Sequence, residues 1–265
     1  MQHHDEAVRG AAARYPAYPG AVALILGGSV ARGTERSDSD VDLTLVLTDA
    51  AYGEHAASDR LSFVDEVPEF YDHAYFDVKV VTVEQLRLAV DSGDDPMRGA
   101  YLDARVLWAE SAAVEREVRG ILDSIVDPPG EHWIALERSF LAQARLHGGY
   151  FLEQSEQLDL GLLRHHAAVH FAFAIGRALL ARNRVLFSGP KYLERDLGAL
   201  ATAPSGIARR LRSFLDAPTA EEAAAILAEV EGLGDWTLAR EQSLSVFVED
   251  NELAWLTGRM PPEYR

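Results

Sequence analysis

The sequence has no cysteine, no apolar run of membrane-spanning length, and fewer basic than acidic residues. The lack of cysteine excludes a disulfide framework and a thiolate metal site. With 25 lysine and arginine residues against 42 aspartate and glutamate residues, the net charge is −17. A broad nucleic-acid-binding surface is therefore not expected, because it would need clustered positive charge to neutralise phosphates. With no signal peptide and no membrane-spanning run, we expect a cytoplasmic protein that does not bind a membrane and acts on small, particularly cationic, molecules.

The 265 residues are enough for two modest domains. Up to residue 126, strand-like and helix-like patterns alternate, which indicates an α/β domain. The breaker Asp127-Pro-Pro-Gly130 follows, and beyond it only helical periodicity is convincing. We therefore predict domains at 1–127 and 128–265, the second an all-α helical bundle. The elements predicted for the first are helix 5–15, strand 21–26, helix 29–35, strand 41–47, strand 74–82, helix 83–92, strand 104–108 and helix 111–125.

The segment from Leu24 to Leu45 is the most informative part of the chain. An apolar run ends at Gly27-Gly28-Ser29, and Asp40 and Asp42 flank the start of the next apolar run. The glycines allow a close backbone approach, and with Ser29 they could direct N–H groups at an anion. Alternate residues of a strand point to one face, so Asp40 and Asp42 would project together and repel unless a cation lies between them. A tight turn followed by solvated carboxylates is the alternative; a site for a magnesium nucleotide explains more of the pattern.

Gly28-Ser29, the spacer Val30–Ser39 and Asp40-Val41-Asp42 resemble the signature of the polymerase-β-type nucleotidyltransferase superfamily. The helical second domain resembles that of the small-molecule antibiotic nucleotidyltransferases. The resemblance implies a mixed-sheet α/β nucleotidyltransferase fold with an all-α C-terminal bundle. It also implies two Mg²⁺ ions on Asp40, Asp42 and a third carboxylate, with the phosphates held at Gly28-Ser29.

The resemblance further implies a reaction in which a hydroxyl of an acceptor attacks the α-phosphorus and pyrophosphate leaves. ATP is the default donor, and a small molecule such as an antibiotic is the expected acceptor. Two alternatives stay open: nucleotidylation of a tRNA or protein, and a nucleotide-binding regulator without turnover. The oligomeric state is not predicted.

Asp77 is the candidate for the third carboxylate. Among the acidic residues of its region, which include Asp65, Asp72 and Asp91, only Asp77 is enclosed by a strong strand pattern. Lys79 shares its face and could neutralise the cluster or contact the triphosphate, although an exposed lysine on an edge strand is an equal alternative. Arg32, in the predicted helix 29–35, is a further candidate nucleotide contact.

Glu137 is an anomaly in the predicted helix 131–155. It falls near the centre of an apolar stripe, where a carboxylate is costly unless it is paired or lines a cleft. The stripe consists of Ile134, Leu141, Ala144, Gly148 and Phe151. In the antibiotic nucleotidyltransferases that the chain resembles, a carboxylate of the helical domain can act as general base. Glu137 is our candidate, with Glu153 and Glu156 in reserve; a buried Arg–Glu pair is the structural alternative.

Basic residues occupy one side of the predicted helix 160–184. His166, His170, Arg177 and Arg184 are predicted to lie opposite the apolar face, where they could bind phosphate or acceptor or simply meet solvent. No HExxH motif accompanies the histidines, so zinc is not expected. Downstream, Ser188-Gly-Pro-Lys-Tyr-Leu193 resembles a proline-lysine motif whose lysine reaches nucleotide phosphates. Pro190 would begin a helix and place Lys191 in its first turn.

Overall fold

The chain divides at Pro128 and Pro129 into two units, Met1–Pro128 and Pro129–Arg265. The structure is a computed structural model, and it describes residues 1–258 and 260–262. None of the helices in these residues is long and apolar enough to cross a membrane. That each unit is an independently folding domain stays a prediction.

A five-stranded mixed sheet forms the centre of the first unit. Its strands are β1 (Ala21–Leu26), β2 (Val41–Leu47), β3 (Ser62–Glu66), β4 (Tyr75–Thr82) and β5 (Arg105–Ala109). Their order across the sheet is β3-β4-β2-β1-β5. Only β2 and β4 pair in parallel, and the other neighbours are antiparallel. The predicted mixed α/β fold is confirmed.

Helices cover both faces of this sheet. They are α1 (Gln2–Arg14), α2 (Gly28–Ala31), α3 (Asp49–Ala57), α4 (Val83–Ser92), α5 (Asp95–Ala100) and α6 (Ala112–Val126). Leu24 packs in one core with Ala11 of α1, whereas Ile25 packs in a second core with Leu86 of α4 and Leu122 of α6. Burial on both faces explains why the central strands appear in the sequence as continuous apolar runs.

Three parts of the first unit differ from the prediction. Strand β3 was not predicted, because it is an edge strand on which Phe63 is only half-buried and Val64 is exposed. Helices α3 and α5 were not predicted either, and α3 buries none of its residues, so it has no apolar stripe to detect. The helix predicted at 29–35 is a single turn that ends at Ala31, after which Gly33 adopts a φ of +66°.

The second unit is helical, and its described residues contain no strand, in agreement with the predicted all-α bundle. Its helices are α7 (Gly130–Arg145), α8 (Leu152–Gln157), α9 (Gly161–Arg182), α10 (Leu193–Gly198), α11 (Ile207–Asp216), α12 (Ala220–Glu231), α13 (Ser243–Asp250) and α14 (Ala254–Thr257). Leu141 and Ala144 of α7 and Phe171 and Ile175 of α9 are buried in its interior. The apolar stripe predicted for α7 is wrong at Ile134, which is 49% exposed.

A π-helical turn, Leu146–Phe151, joins α7 to α8. The predicted helix 131–155 is therefore two α-helices connected by a wider turn. Gly148 lies in this turn, and a Cβ atom there would be 2.5 Å from the ring of Phe171 on α9. The absence of a side chain at Gly148 is what lets the turn pass so close to α9.

Candidate metal and nucleotide site

The structure brings Asp40, Asp42 and Asp77 together. One carboxylate oxygen from each lies within 4.8 Å of the others, and all three side chains are half-buried. Asp42 and Asp77 are direct partners in the parallel pairing of β2 with β4, so their side chains leave the same face of the sheet. Asp40 comes two residues before Asp42 and joins the cluster from the position immediately before β2. Among the described residues this is the only group of three or more potential ligands close enough to hold one metal ion.

The electrostatics of the cluster suit a cation. The pKa of Asp42 is raised, mainly by burial and then by the negative charges of Asp40 and Asp77. The positive charges of Lys79 and Arg32 act in the opposite direction. Three carboxylates in partial burial repel one another, and a divalent cation would relieve that repulsion through the oxygen ligands that Mg²⁺ prefers. The residues present therefore fit a magnesium site.

Gly28 makes room for Asp42. Its φ is +64°, and a Cβ atom would lie 1.7 Å from Asp42 Oδ2. The backbone N–H of Gly27 donates to the carbonyl oxygen of Asp42 at 3.0 Å, which fastens the turn to β2. The glycines were predicted to let backbone approach a ligand; in the structure the close approach is to the side chain of a candidate metal ligand.

The loop before Asp40 is held in place by residues that the sequence did not reveal. His4 of α1 is fully buried, and its Nε2 lies 2.9 Å from the carbonyl oxygen of Ser39. The hydroxyl of Tyr71 donates to the same carbonyl at 2.7 Å. Because the shared partner is a main-chain atom more than 30 residues away, no pattern in the sequence could have identified either side chain.

Tyr75 is a further neighbour of the cluster. The negative charge of Asp40, with some burial and a hydrogen bond to Asp40, raises the pKa of the Tyr75 hydroxyl. A signal for this residue was present, because Tyr75 precedes Asp77 by two positions on the same strand and so shares its face. The hydroxyl of Tyr75 thus places a neutral hydrogen-bond donor beside the carboxylate of Asp40, whose other neighbours in the cluster are negatively charged.

The structure distinguishes Asp77 from the other candidates for the third carboxylate. Asp65, on β3, accepts hydrogen bonds from Arg14 and Tyr15 at 3.0 Å each and belongs to the packing of α1. The side chain of Asp72 is 93% exposed. Of these three carboxylates, only Asp77 reaches the cluster.

The predicted nucleotide contacts of the first unit lie near the acidic cluster. Lys79 is exposed on β4, and the alternative of an edge strand is wrong because β4 lies between β3 and β2. Arg32 directly follows α2, and Ser29 lies within it. Lys79 and Arg32 are both close enough to lower the pKa of Asp42. Contact with a nucleotide stays a prediction for all three residues.

Glu137, the candidate general base, is engaged within the second unit. It is 7% exposed, and its Oε1 accepts from the Thr237 backbone N–H at 3.1 Å and from Thr237 Oγ1 at 2.8 Å. Its Oε2 lies 3.5 Å from Arg182 Nη1. These contacts are those of the structural alternative, a buried Arg–Glu pair, and they favour it over a catalytic role. Of the reserves, Glu156 accepts a hydrogen bond from the Ala220 backbone N–H at the start of α12, and Glu153 is exposed.

The basic stripe predicted on α9 does not form as expected. Arg177 is 4% exposed, and its guanidinium lies over the rings of Phe140 and Phe187 at 4.3 and 4.2 Å, so it does not lie on a face opposite the core. The reason is that apolar rings can accept a guanidinium face through cation–π contact. Arg184 lies beyond the end of α9, with a φ of +54°.

Lys191 lies in a 3₁₀ turn, Pro190–Tyr192, that precedes α10. Its side chain is exposed, with Nζ 5.1 Å from the centre of the Tyr192 ring. The predicted helical start at Pro190 is thus present as a tighter turn. Its contact with phosphate stays a prediction.

A carboxylate triad on adjacent strands, beside a glycine turn, is an arrangement that can hold the metal ions used in phosphoryl transfer. Residues 12–93 match the family model described as "Nucleotidyltransferase domain". This match covers most of the first unit, and a helical region follows it in the chain. A solved structure described as a nucleotidyltransferase-like protein from Exiguobacterium sibiricum 255-15 is similar over 96% of this chain and 79% of that chain, with a TM-score of 0.46 and 12% sequence identity. Comparison with curated proteins found no match.

Proposed function

We propose that the protein transfers a nucleoside monophosphate, AMP from ATP, to a hydroxyl group of a small-molecule acceptor and releases pyrophosphate. The observation that carries the proposal is the convergence of Asp40, Asp42 and Asp77 within 4.8 Å, beside Gly28, in a nucleotidyltransferase domain. The family supports nucleotidyl transfer in general. The donor and the acceptor are our proposal.

The three aspartates would hold Mg²⁺, as two ions in the reaction that the family resemblance implies. Bound there, the metal would supply Lewis-acid charge at the reacting phosphate and at the departing pyrophosphate. The chain's own contribution is to hold the carboxylates in position. Gly28 leaves the space that Asp42 occupies, and the parallel pairing of β2 with β4 aligns Asp42 with Asp77.

Positive side chains near the cluster would bind the polyphosphate. Lys79 and Arg32 lie within electrostatic reach of Asp42, and each can form charge-assisted hydrogen bonds with phosphate oxygens. The backbone N–H groups at Gly28-Ser29 would add neutral donors. Lys191, exposed in the second unit, is kept as a further phosphate contact on the basis of the proline-lysine motif.

The acceptor is proposed to be a small cationic molecule, with an antibiotic as the example that the family resemblance suggests. A net charge of −17 raises the local concentration of cations and repels nucleic acid. Glu137 has no part in this proposal as a general base, because both of its oxygens have partners within the helical unit.

The test is metal-dependent release of pyrophosphate from ATP labelled at the α-phosphate, with a panel of small hydroxyl-bearing cations as acceptors. We expect label on an acceptor only with Mg²⁺ present. Asp42→Asn should abolish the transfer, and Asp38→Asn is the matched control because Asp38 is exposed and forms an ion pair with the nearby Arg36. Label on a tRNA or protein in place of the panel would refute the small acceptor. Nucleotide binding without any pyrophosphate release would refute the enzyme and favour a regulator.

A further inference from the structure

We propose that the helical unit contains a binding site for a compact aromatic molecule that carries a hydrogen-bond-accepting oxygen. The site is a cavity of about 220 Å³ lined by residues of α7 and α9 and by Pro262. Its described lining includes Phe140 and Gln143 of α7 and Val169, His170 and Phe173 of α9. The proposal concerns the second unit alone and does not depend on nucleotidyl transfer.

The size of the cavity suits a single substituted ring. An apolar cavity of about 150 Å³ is known to hold benzene, so 220 Å³ leaves room for one ring and a short substituent. Two aromatic side chains, Phe140 and Phe173, line the space, and Val169 is 47% exposed. Aromatic walls favour a flat aromatic ligand, because rings can stack or meet edge to face.

Gln143 supplies the polar contact. The residue is 6% exposed, and among the described residues no group accepts a hydrogen bond from its Nε2 atom. A buried amide N–H without an acceptor is unfavourable, and such groups in folded proteins ordinarily find a partner. A carbonyl oxygen on the ligand would provide that partner in a space that apolar side chains, His170 and Arg177 also line.

A second unpartnered polar atom lies one helical turn further along. His147 is 5% exposed, and its Nδ1 has no hydrogen-bond partner among the described residues. Its ring stacks on that of His170, a lining residue, with 4.9 Å between centroids. Burial, with a smaller contribution from the nearby histidines, lowers the pKa of His147 to about 3, so its ring is neutral at physiological pH.

The backbone conformation next to the cavity also supports a binding site there. His147 lies in the π-helical turn Leu146–Phe151 that directly follows α7. π-Helical turns are rare and are frequently found at functional sites, because a widened turn redirects side chains that a regular α-helix would place elsewhere. Here the widened turn places against a lining residue of the cavity an imidazole whose Nδ1 has no hydrogen-bond partner among the described residues.

The probes are acetophenone and α-methylstyrene. The two molecules have nearly the same shape, but acetophenone has a carbonyl oxygen where α-methylstyrene has a CH₂ group. Binding to the full-length protein is followed by titration in ¹H–¹⁵N NMR spectra, which reports shifts at the cavity residues and gives a dissociation constant. We expect saturable shifts with acetophenone and an affinity about tenfold lower for α-methylstyrene, as the loss of one buried hydrogen bond predicts.

Three variants isolate the role of the cavity and of its amide. Gln143→Met removes Nε2 at nearly constant length, and Gln157→Met makes the same change at the exposed end of α8. Ala174→Phe fills the cavity from α9. Gln143→Met should lose the preference for acetophenone, Gln157→Met should keep it, and Ala174→Phe should bind neither probe.

Two outcomes would overturn the proposal. One is the absence of saturable shifts at the cavity residues in the wild-type protein. The other is equal affinity of the wild type for the two probes, which would mean that the Gln143 amide is satisfied without the ligand. The wild-type comparison decides the matter by itself if Gln143→Met fails to fold.

Discussion

Replacement of Gly28 by alanine tests the geometry of the acidic cluster most directly. The new Cβ would lie 1.7 Å from Asp42 Oδ2 and 2.4 Å from its Cγ, so the carboxylate must move by about 1 Å or more. A misplacement of this size at a reacting centre can cost about 100-fold in rate. We expect a loss of nucleotidyl transfer of at least that order, together with weaker Mg²⁺ binding.

Gly33→Ala is the matched control. Gly33 has nearly the same backbone conformation, with a φ of +66° against +64° at Gly28, but a Cβ atom there would meet nothing within 4 Å. Alanine in this conformation costs about 1–2 kcal/mol of backbone strain at either position. Gly33→Ala should therefore lower the Tm by a few degrees and leave the transfer rate close to that of the wild type.

The two variants are compared by thermal unfolding and by initial rates of pyrophosphate release. Gly28→Ala should be the less stable of the two, because it adds the clash with Asp42 to the shared strain. In an Asp42→Ala background most of the clash is removed, and the destabilisation by Gly28→Ala should shrink by about 0.5–3 kcal/mol, the usual range for residues in contact. Equal Tm and equal rates for Gly28→Ala and Gly33→Ala would refute the reasoning.

Four further predictions concern the carboxylates and Lys191. Asp42→Asn should stabilise the metal-free protein at neutral pH, and this gain should vanish at acid pH. The reason is that the pKa of Asp42 is raised in the folded state, so its ionisation destabilises the fold as pH rises through that pKa. Denaturant titrations without metal at both pH values measure the effect. Asp77→Ala should abolish transfer and weaken Mg²⁺ binding, whereas Asp72→Ala, at an exposed carboxylate, should leave both unchanged. Calorimetric titration with Mg²⁺ measures the binding, and the reverse order of the two variants would contradict the prediction. Glu137→Gln should lower the free energy of unfolding by about 1–3 kcal/mol and leave kcat unchanged. A reduced kcat at unchanged stability would instead support Glu137 as the general base. Lys191→Ala should raise the KM for ATP several-fold with little change in kcat, and an unchanged KM would remove it from the site.

The elements that the sequence predicted well are those in which burial leaves a strong pattern. β1 begins and ends where its apolar run does, and β2 likewise, because both are covered on two faces. The spacing between Gly28 and Asp42 was also sufficient to place the turn beside the carboxylates. These features depend on residues that are close together in the sequence, so they can be predicted from the sequence alone.

What the sequence did not show depends on partners far along the chain. Helical periodicity placed Arg177 opposite the apolar face, whereas the structure places its guanidinium over the rings of Phe140 and Phe187. Glu137 was recognised as anomalous, but its partner Thr237 is 100 residues away. A helical wheel states which side chains share a face, but it cannot say which distant groups meet that face.

The parallel pairing of β2 with β4 has a consequence for folding. Phe76 and Val78 are fully buried, and Asp77 lies between them on the opposite face. A slip of one residue in this pairing would turn Asp77 into the apolar interior and expose both neighbours to water. The carboxylate of Asp77 therefore penalises a misaligned pairing of β2 with β4, so a residue proposed to bind metal would also favour the correct strand alignment during folding.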